Sequence, residues 1–422
     1  MSGLSDFLFF NIPADWEVLS SIRCEWANKA EFLRNMISFA TEFGLSGNIW
    51  QQWLTFILMT QENPFTLALE REKAIENTTL MEMAMGDMEI FHKLFLVDLS
   101  EEGKKWLLPL TEYQAPHDGY EMNDAGKRIA ALSEKLAQAK DLDAFIKPIL
   151  EYYSLYGAGF FGLYKAFRVI ADESGLHMIP VTDGEDVCFD DLIGLEDQKR
   201  SLKENTEAFL IGLPANNVLL YGDSGTGKST SVHALMHDYY DKGLRLIELS
   251  KQDRSLLPQV LAYVKKRNYR FIIFLDDLSF EENESDYKEL KAMLEGALEK
   301  RQDRVLIYAT SNRRHLIRET WTDRNDMEYD NDIHRSDTME EKLSLASRFG
   351  LSIYFAKPDA KEYLHIVHEL TDRSGIDINE KDLNDAARKW ELRHGGMSGR
   401  TASQLITWLH GHEIKKGERS SE

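Results

Sequence analysis

Residues 221–230, "YGDSGTGKST", decide the fold of this chain. They match the pattern G-x-x-x-x-G-K-[ST] at every position, after an apolar run, "NNVLL", and before an amphipathic run, "SVHALMHDYY". Glycines in such a loop let backbone N–H groups turn inward around phosphates, and the N-terminus of the following helix adds positive potential. The sequence therefore predicts a strand, a phosphate loop and a helix that bind a nucleotide. The predicted binding residues are Gly222, Asp223, Ser224, Gly225, Thr226, Gly227, Lys228, Ser229 and Thr230.

The same loop and a later strand predict a magnesium site. Lys228 is expected to reach the β- and γ-phosphates, and the Ser229 hydroxyl is expected to bind Mg²⁺. Asp276 and Asp277 directly follow the apolar run "RFIIFL". We expect Asp276 to hold Mg²⁺ through its water shell and Asp277 to orient the attacking water. Paired acids also end strands in solvent, and this structural alternative stays open.

Three further side chains are candidates for contact with the γ-phosphate. Asn312 follows the run "RVLIYATS", where its amide could touch the γ-phosphate or the water. Arg348 lies in "SLASRFG" and Arg400 in "GGMSGRTA". A guanidinium pairs bidentately with phosphate oxygens and stabilises a transferring phosphoryl group. Each arginine, taken alone, could equally be a surface ion-pair residue.

Composition restricts the class of protein. The chain has 422 residues, which favours two or three domains, and its net charge of −21 disfavours nucleic acid as a partner. The two cysteines show neither a pairing pattern nor a metal-binding spacing, which suits a reducing compartment. No apolar run approaches the roughly 20 residues that cross a bilayer, and the start lacks a basic segment. We therefore expect a cytoplasmic protein without a membrane span.

Hydrophobic periodicity divides the chain. Before about residue 170, apolar residues such as Trp50, Trp53 and Ile57 recur at helical spacing. After residue 189, short runs that are apolar on both faces alternate with helical runs, which predicts a parallel sheet covered by helices. We predict a helical N-terminal recognition domain over 1–175, an α/β nucleotide-binding domain over 182–358, a helical lid over 359–415 and a disordered tail over 416–422.

Taken in chain order, these motifs resemble those of the AAA+ ATPases. The phosphate loop corresponds to Walker A, "RFIIFLDD" to Walker B, Asn312 to sensor 1, Arg348 to the arginine finger and Arg400 to sensor 2. "FDDLIGLEDQK" adds a turn, Ile193-Gly194, that packs near the adenine in such proteins. The stretches "NPFTLALE", "YGAGFFGLYKAFR" and "YATSNRRHL" resemble more closely the bacterial predicted ATPases catalogued as an AAA+ domain of unknown function.

This resemblance implies ATP and Mg²⁺ as ligands, an α/β P-loop core with a C-terminal helical lid, and a homo-oligomer. ATP would bind between core and lid, and Arg348 would reach the neighbouring subunit's site.

The sequence departs from the pattern of the AAA+ ATPases in two places. Many AAA+ machines carry Asp-Glu where this chain has Asp276-Asp277, so we expect slow hydrolysis. The stretch "SKQDRSLLPQV" lacks the aromatic loop with which protein-threading relatives grip substrates.

The function predicted from the sequence is ATP hydrolysis that remodels or switches a protein client held by the N-terminal domain. A P-loop phosphotransferase explains Lys228, Ser229 and Asp276 but not Asn312 and the two arginines together. A nucleotide-gated scaffold with negligible turnover is left open by the Asp-Asp pair. The basic clusters at 265–270 and Arg313-Arg314 are expected to be a solvated face or a subunit contact, and contact with nucleic acid stays an open alternative.

Overall fold

The computed structural model describes residues 7–10, 26–72, 78–97, 105–115, 121–172, 175–182, 187–278, 304–312 and 348–420. By its internal contacts the chain divides into two units, Met1–Tyr164 and Lys165–Glu422. Within the described ranges, no helix is both long enough and apolar enough to cross a membrane.

The first unit is mainly helical. Side chains at Asn48, Thr78, Asn123 and Asp141 accept hydrogen bonds from backbone N–H groups of the first helical turn, which explains where four of its helices begin. The turn at residues 157–159 places Gly157 and Gly159 at positive φ between two helices. The helices are α1 (Trp26–Phe43), α2 (Ile49–Thr60), α3 (Pro64–Glu72), α4 (Thr79–Phe95), α5 (Asp124–Ala137), α6 (Leu142–Tyr156) and α7 (Phe160–Leu163), with a 3₁₀ turn at Lys105–Leu110.

A buried carboxylate of the first unit fixes an N-terminal segment. Asp87 on α4 is 1% exposed and accepts hydrogen bonds from the backbone N–H groups of Leu8, Phe9 and Phe10 at 2.8, 2.8 and 3.1 Å. The Phe10 ring meets Phe91, one turn further along α4, edge to face. Three charge-assisted hydrogen bonds offset the cost of burying this carboxylate.

The second unit is built on a seven-stranded sheet of order β2-β1-β4-β5-β6-β3-β7. All neighbouring strands run parallel except β1 and β2, which pair antiparallel. Parallel strands place their carboxyl ends on one edge, where ligands bind in open α/β sheets. The strands are β1 (Ala166–Asp172), β2 (Gly175–Pro180), β3 (Val218–Gly222), β4 (Leu244–Leu249), β5 (Arg270–Leu275), β6 (Val305–Ser311) and β7 (Leu351–Phe355).

Both faces of the central strands β3, β4, β5 and β6 are buried. Val218 and Leu220 belong to a core cluster with residues of two helices, whereas Leu219 and Ile273, on the opposite face, are also buried. Burial on both faces explains why the sequence of these strands consists of continuous apolar runs. The predicted fold class, a P-loop α/β core with a C-terminal helical lid and a mainly α N-terminal part, is confirmed. The helices are α8 (Glu196–Leu210), α9 (Lys228–Tyr239), α10 (Leu257–Val264), and in the lid α11 (Ala360–Ser374), α12 (Glu380–Arg393) and α13 (Gly399–Ser420).

Two segments differ from the sequence interpretation. The sequence interpretation assigns residues 166–180 to the end of the helical region and to a domain boundary. In the structure they form the strands β1 and β2 of the sheet. β2 is an edge strand without a single fully buried residue, so it lacks the apolar run that predicts a strand. Residues 416–420, expected to be disordered, continue α13.

We predict that Asp87→Ala loosens α4, because three backbone N–H groups lose their buried acceptor. The free energy of opening of α4, measured by amide hydrogen exchange, should fall by roughly 2–4 kcal/mol. Glu89→Ala is the matched control on the same helix, since Glu89 is exposed and only pairs with Lys93 at 3.6 Å. Its effect should stay within about 0.5 kcal/mol. Equal exchange in both variants would contradict this prediction.

Candidate active site

The phosphate loop connects β3 to α9. Gly222, the last residue of β3, has φ 140°, and a Cβ atom there would lie 2.0 Å from the carbonyl oxygen of Phe355 in β7. Gly225 and Gly227 have φ values of 76° and 93°, which disfavour any other residue. The glycines of the motif are therefore required by close packing against β7 and by the turn that directs backbone N–H groups into the loop.

Lys228 is the first residue of α9 and is 7% exposed. Its Nζ donates to the carbonyl oxygens of Gly222 and Asp223 at 3.0 and 2.6 Å and to Oδ1 of Asn312 at 3.0 Å. Burial lowers the pKa of Lys228, and the nearby carboxylates of Asp223, Asp276 and Asp277 oppose this effect. The ammonium group therefore joins the phosphate loop to the end of β6.

The acid pair at the end of β5 lies beside this lysine. Asp276 Oδ1 accepts hydrogen bonds from Ser229 Oγ at 2.7 Å and from the Thr310 hydroxyl. The backbone N–H of Asp277 donates to Thr310 Oγ1 at 2.9 Å, and Asn312 Nδ2 donates to Asp277 Oδ1 at 2.9 Å. The ends of β5 and β6 and the start of α9 thus form one connected polar network.

The donor set of this network fits Mg²⁺. Ser229 and Asp276 present a hydroxyl and a carboxylate, the hard oxygen ligands that Mg²⁺ prefers. Across the described ranges, no three His, Cys, Asp or Glu residues are grouped so that they could hold a metal ion. Mg²⁺ usually takes one or two carboxylates and completes its shell with water and phosphate oxygens. The residues present therefore suit a metal that arrives with phosphates.

The network lies at the bottom of a cleft of about 1360 Å³. Leu192 and Ile193, before α8, line one side, and Ile366 and Leu370 of α11 line the lid side. This apolar end suits a flat heterocycle. At the other end, the Arg400 N–H donates to the carbonyl oxygen of Gly225 at 3.3 Å, which places the start of α13 against the phosphate loop.

The cleft brings together most of the site residues that the sequence predicts. Gly222 and Asp223 lie beneath the loop, where their carbonyl oxygens hold Lys228. Arg348 is exposed and is not among the lining residues. The roles of all these residues stay predictions. Those that line the cleft are Ile193, Gly194, Ser224, Gly225, Thr226, Gly227, Lys228, Ser229, Thr230, Asp276, Asp277, Asn312 and Arg400.

Three residues of the site are absent from the sequence prediction. Thr310 is buried and joins Asp276 to the backbone of Asp277. Its position two residues before Asn312, on the same face of the strand, is a signal that could have found it. Lys357 lines the cleft with its Nζ 4.0 Å from Asp223 Oδ1, and the buried Arg254 lies beneath the acids. No motif marks these two residues.

Comparisons with known proteins place this region in a family. A model described as "Protein of unknown function (DUF815)" matches residues 163–413. The chain is 26% identical over 242 residues to a proteasome-activating nucleotidase of Methanococcus vannielii, covering 54% of each chain. It is 24% identical over 239 residues to the same type of protein from Methanococcus maripaludis, covering 53% of this chain and 54% of that one. It spans about half the length of the curated relatives that it matches.

Solved structures overlap the chain only loosely. The Holliday junction branch migration motor RuvB of Thermotoga maritima is 18% identical, with a TM-score of 0.35 over 52% of this chain and 63% of that chain. The FIGL-1 AAA domain in complex with ADP is 22% identical, with a TM-score of 0.36 over 53% of this chain and 73% of that chain. The fold assignment therefore depends on the strand order and the phosphate loop of this chain itself.

We predict that Lys228→Ala weakens ATP binding at least tenfold, about 1.4 kcal/mol, because the cation next to the phosphates is lost. Titration of a fluorescent ATP analogue measures the dissociation constant, and circular dichroism checks the fold. Lys389→Ala is the control, since Lys389 is exposed on α12 and does not line the cleft. A folded Lys228→Ala protein with unchanged ATP affinity would show that phosphates bind elsewhere.

Proposed function

We propose that this chain, which belongs to the DUF815 family, binds Mg·ATP in the cleft of its second unit and hydrolyses it. The observation that supports this proposal most is the polar network at the carboxyl edge of the sheet, in which Lys228, Asn312 and Asp277 are joined by two hydrogen bonds of 3.0 and 2.9 Å. Lys228 provides a cation for phosphates. The Asn312 amide and the Asp277 carboxylate, for a water molecule, are held beside it. The transfer of a phosphoryl group to water needs these three groups close together.

The proposal gives each part of ATP a place in the cleft. The adenine lies at the apolar end, between the Ile193-Gly194 turn and α11 of the lid. The phosphates lie in the loop, where backbone N–H groups and Lys228 bind them, and Arg400 contacts them from the lid. Ser229 and Asp276 would hold Mg²⁺, which would supply positive charge to neutralise the phosphate oxygens.

Asp277 orients the water that attacks the γ-phosphate and accepts its proton. The carboxylate is exposed to the cleft and is held by the amide of Asn312. Asn312 thereby links the water-orienting acid to the lysine on the phosphates. Asp is one methylene shorter than Glu, so the carboxylate lies farther from the water and turnover is slow.

The nucleotide cycle serves a protein partner. The family match begins at residue 163, which leaves the helical first unit outside it and available for a separate recognition role. The matched relatives are named for activating another protein assembly, which supports a client of the protein class. Arg348 does not line the cleft of its own chain, which supports a role in the site of a neighbouring subunit in a homo-oligomer.

We predict that Asp277→Asn binds ATP as tightly as the wild type but hydrolyses it roughly 100-fold more slowly, because the water loses its proton acceptor while Asp276 is kept. Phosphate release under saturating Mg·ATP measures turnover. Asp385→Asn, at an exposed position of α12 outside the cleft, should match the wild type. Wild-type turnover in Asp277→Asn would remove Asp277 from the mechanism. No turnover in the wild type would favour a nucleotide-gated scaffold.

We predict that Arg348 acts between subunits. Arg348→Ala should bind ATP normally yet lose most of its turnover, because a guanidinium that stabilises transition-state charge is absent. A Lys228→Ala subunit still provides Arg348, and an Arg348→Ala subunit still provides an intact cleft. The ATPase rate of a mixture of the two variants should therefore exceed the sum of their separate rates.

Sedimentation shows whether the two variants assemble together. If they co-assemble and the mixed rate never exceeds the sum, Arg348 does not act in trans.

A further inference from the structure

A buried arginine lies beneath the acid pair. Arg254 begins the 3₁₀ turn Arg254–Leu256, which follows β4, and is 8% exposed. Its Nη2 donates to the backbone carbonyl oxygens of Asp276 at 3.1 Å and Asp277 at 3.4 Å. The guanidinium therefore contacts the main chain of both acids and leaves their carboxylates directed at the cleft.

The backbone that Arg254 contacts has an uncommon conformation. Asp277 has φ 48°, in the left-handed region that L-residues other than glycine seldom occupy. Such a conformation persists only where the surroundings hold it in place. The N–H of Asp277 is held by Thr310 Oγ1 and its side chain by Asn312, and Arg254 holds its carbonyl oxygen.

The chemistry of the guanidinium suits this position. Arginine stays charged at any physiological pH, and its planar donors can serve two carbonyl oxygens at once. Its donors lie on the main-chain side of the acid pair. A neutral side chain of the same length would supply neither the donors nor the charge.

We propose that Arg254 is a positioning residue for ATP hydrolysis, which fixes the Asp276–Asp277 turn so that the Asp277 carboxylate stays beside Asn312. This inference rests on the proposed ATPase function. Without Arg254, Asp277 relaxes toward a right-handed conformation and its carboxylate leaves Asn312. Lys228 and the phosphate loop keep their own contacts, so the catalytic rate falls while ATP binding persists.

The test compares two buried arginines. Arg245, at the start of β4, is 1% exposed and also donates to two carbonyl oxygens, those of Tyr240 and Leu244, at the opposite end of the strand. Arg254→Met should lower kcat roughly 10- to 100-fold with KM for ATP unchanged, because the water-orienting group is misplaced. Arg254→Lys should recover part of kcat. Arg245→Met should keep the wild-type kcat at a temperature where both variants are folded.

Equal losses of kcat in Arg254→Met and Arg245→Met, or wild-type kcat in Arg254→Met, would overturn the proposal. A crystal structure of Arg254→Met, or of Arg254→Lys if the first variant does not fold, gives a measurement independent of turnover. We expect φ of Asp277 to become negative, or its hydrogen bond to Asn312 to be lost. Retention of both would overturn the positioning role. Absence of hydrolysis in the wild type would instead refute the ATPase function, and the crystal structure would still decide the role of Arg254.

Discussion

The Asp276 carboxylate makes the interaction on which the rest of the site depends. One of its oxygens accepts hydrogen bonds from Ser229, at the start of α9, and from Thr310, near the end of β6. Asp276 itself follows β5, so a single carboxylate ties three elements together. This is possible because β5, β6 and β3 run parallel and end on the same edge of the sheet. The contacts of Asp277 with Thr310 and Asn312 lie next to this junction.

Two buried cations balance the acids from different directions. Lys228 approaches from the phosphate loop, and Arg254 from the segment after β4. The lysine contacts Asn312, which lines the cleft, whereas the arginine donates to main-chain carbonyl oxygens of the acids. Burial lowers the pKa of Lys228, and the neighbouring carboxylates favour its charged form. The two proposals therefore give the cations separate roles, one in binding phosphate and one in shaping the acid turn.

The sequence predicted those parts of the molecule whose structure depends on residues close together in the chain. The glycines of the phosphate loop, the apolar runs of β3, β5 and β6 and the acids after β5 each follow from their own neighbours in the chain. β2 escaped prediction because an edge strand is half exposed and shows no apolar run. Arg254 escaped because its partners, Asp276 and Asp277, lie 22 and 23 residues away and are reached only through the pairing of β4 with β5. No sequence motif identifies Arg254, and its proposed role follows from its position in the fold.

The backbone of the acid pair also bears on why the second acid is Asp. At φ 48°, Asp and Asn are tolerated far better than longer side chains, because a short polar group can hydrogen-bond locally in the left-handed region. Glu would extend its carboxylate about one methylene further but would favour the turn less. At position 277, the length of the side chain therefore favours Glu, whereas the backbone conformation favours Asp. The contacts from Thr310, Asn312 and Arg254 all stabilise the conformation that suits Asp, so the shorter acid and the left-handed turn belong to one arrangement.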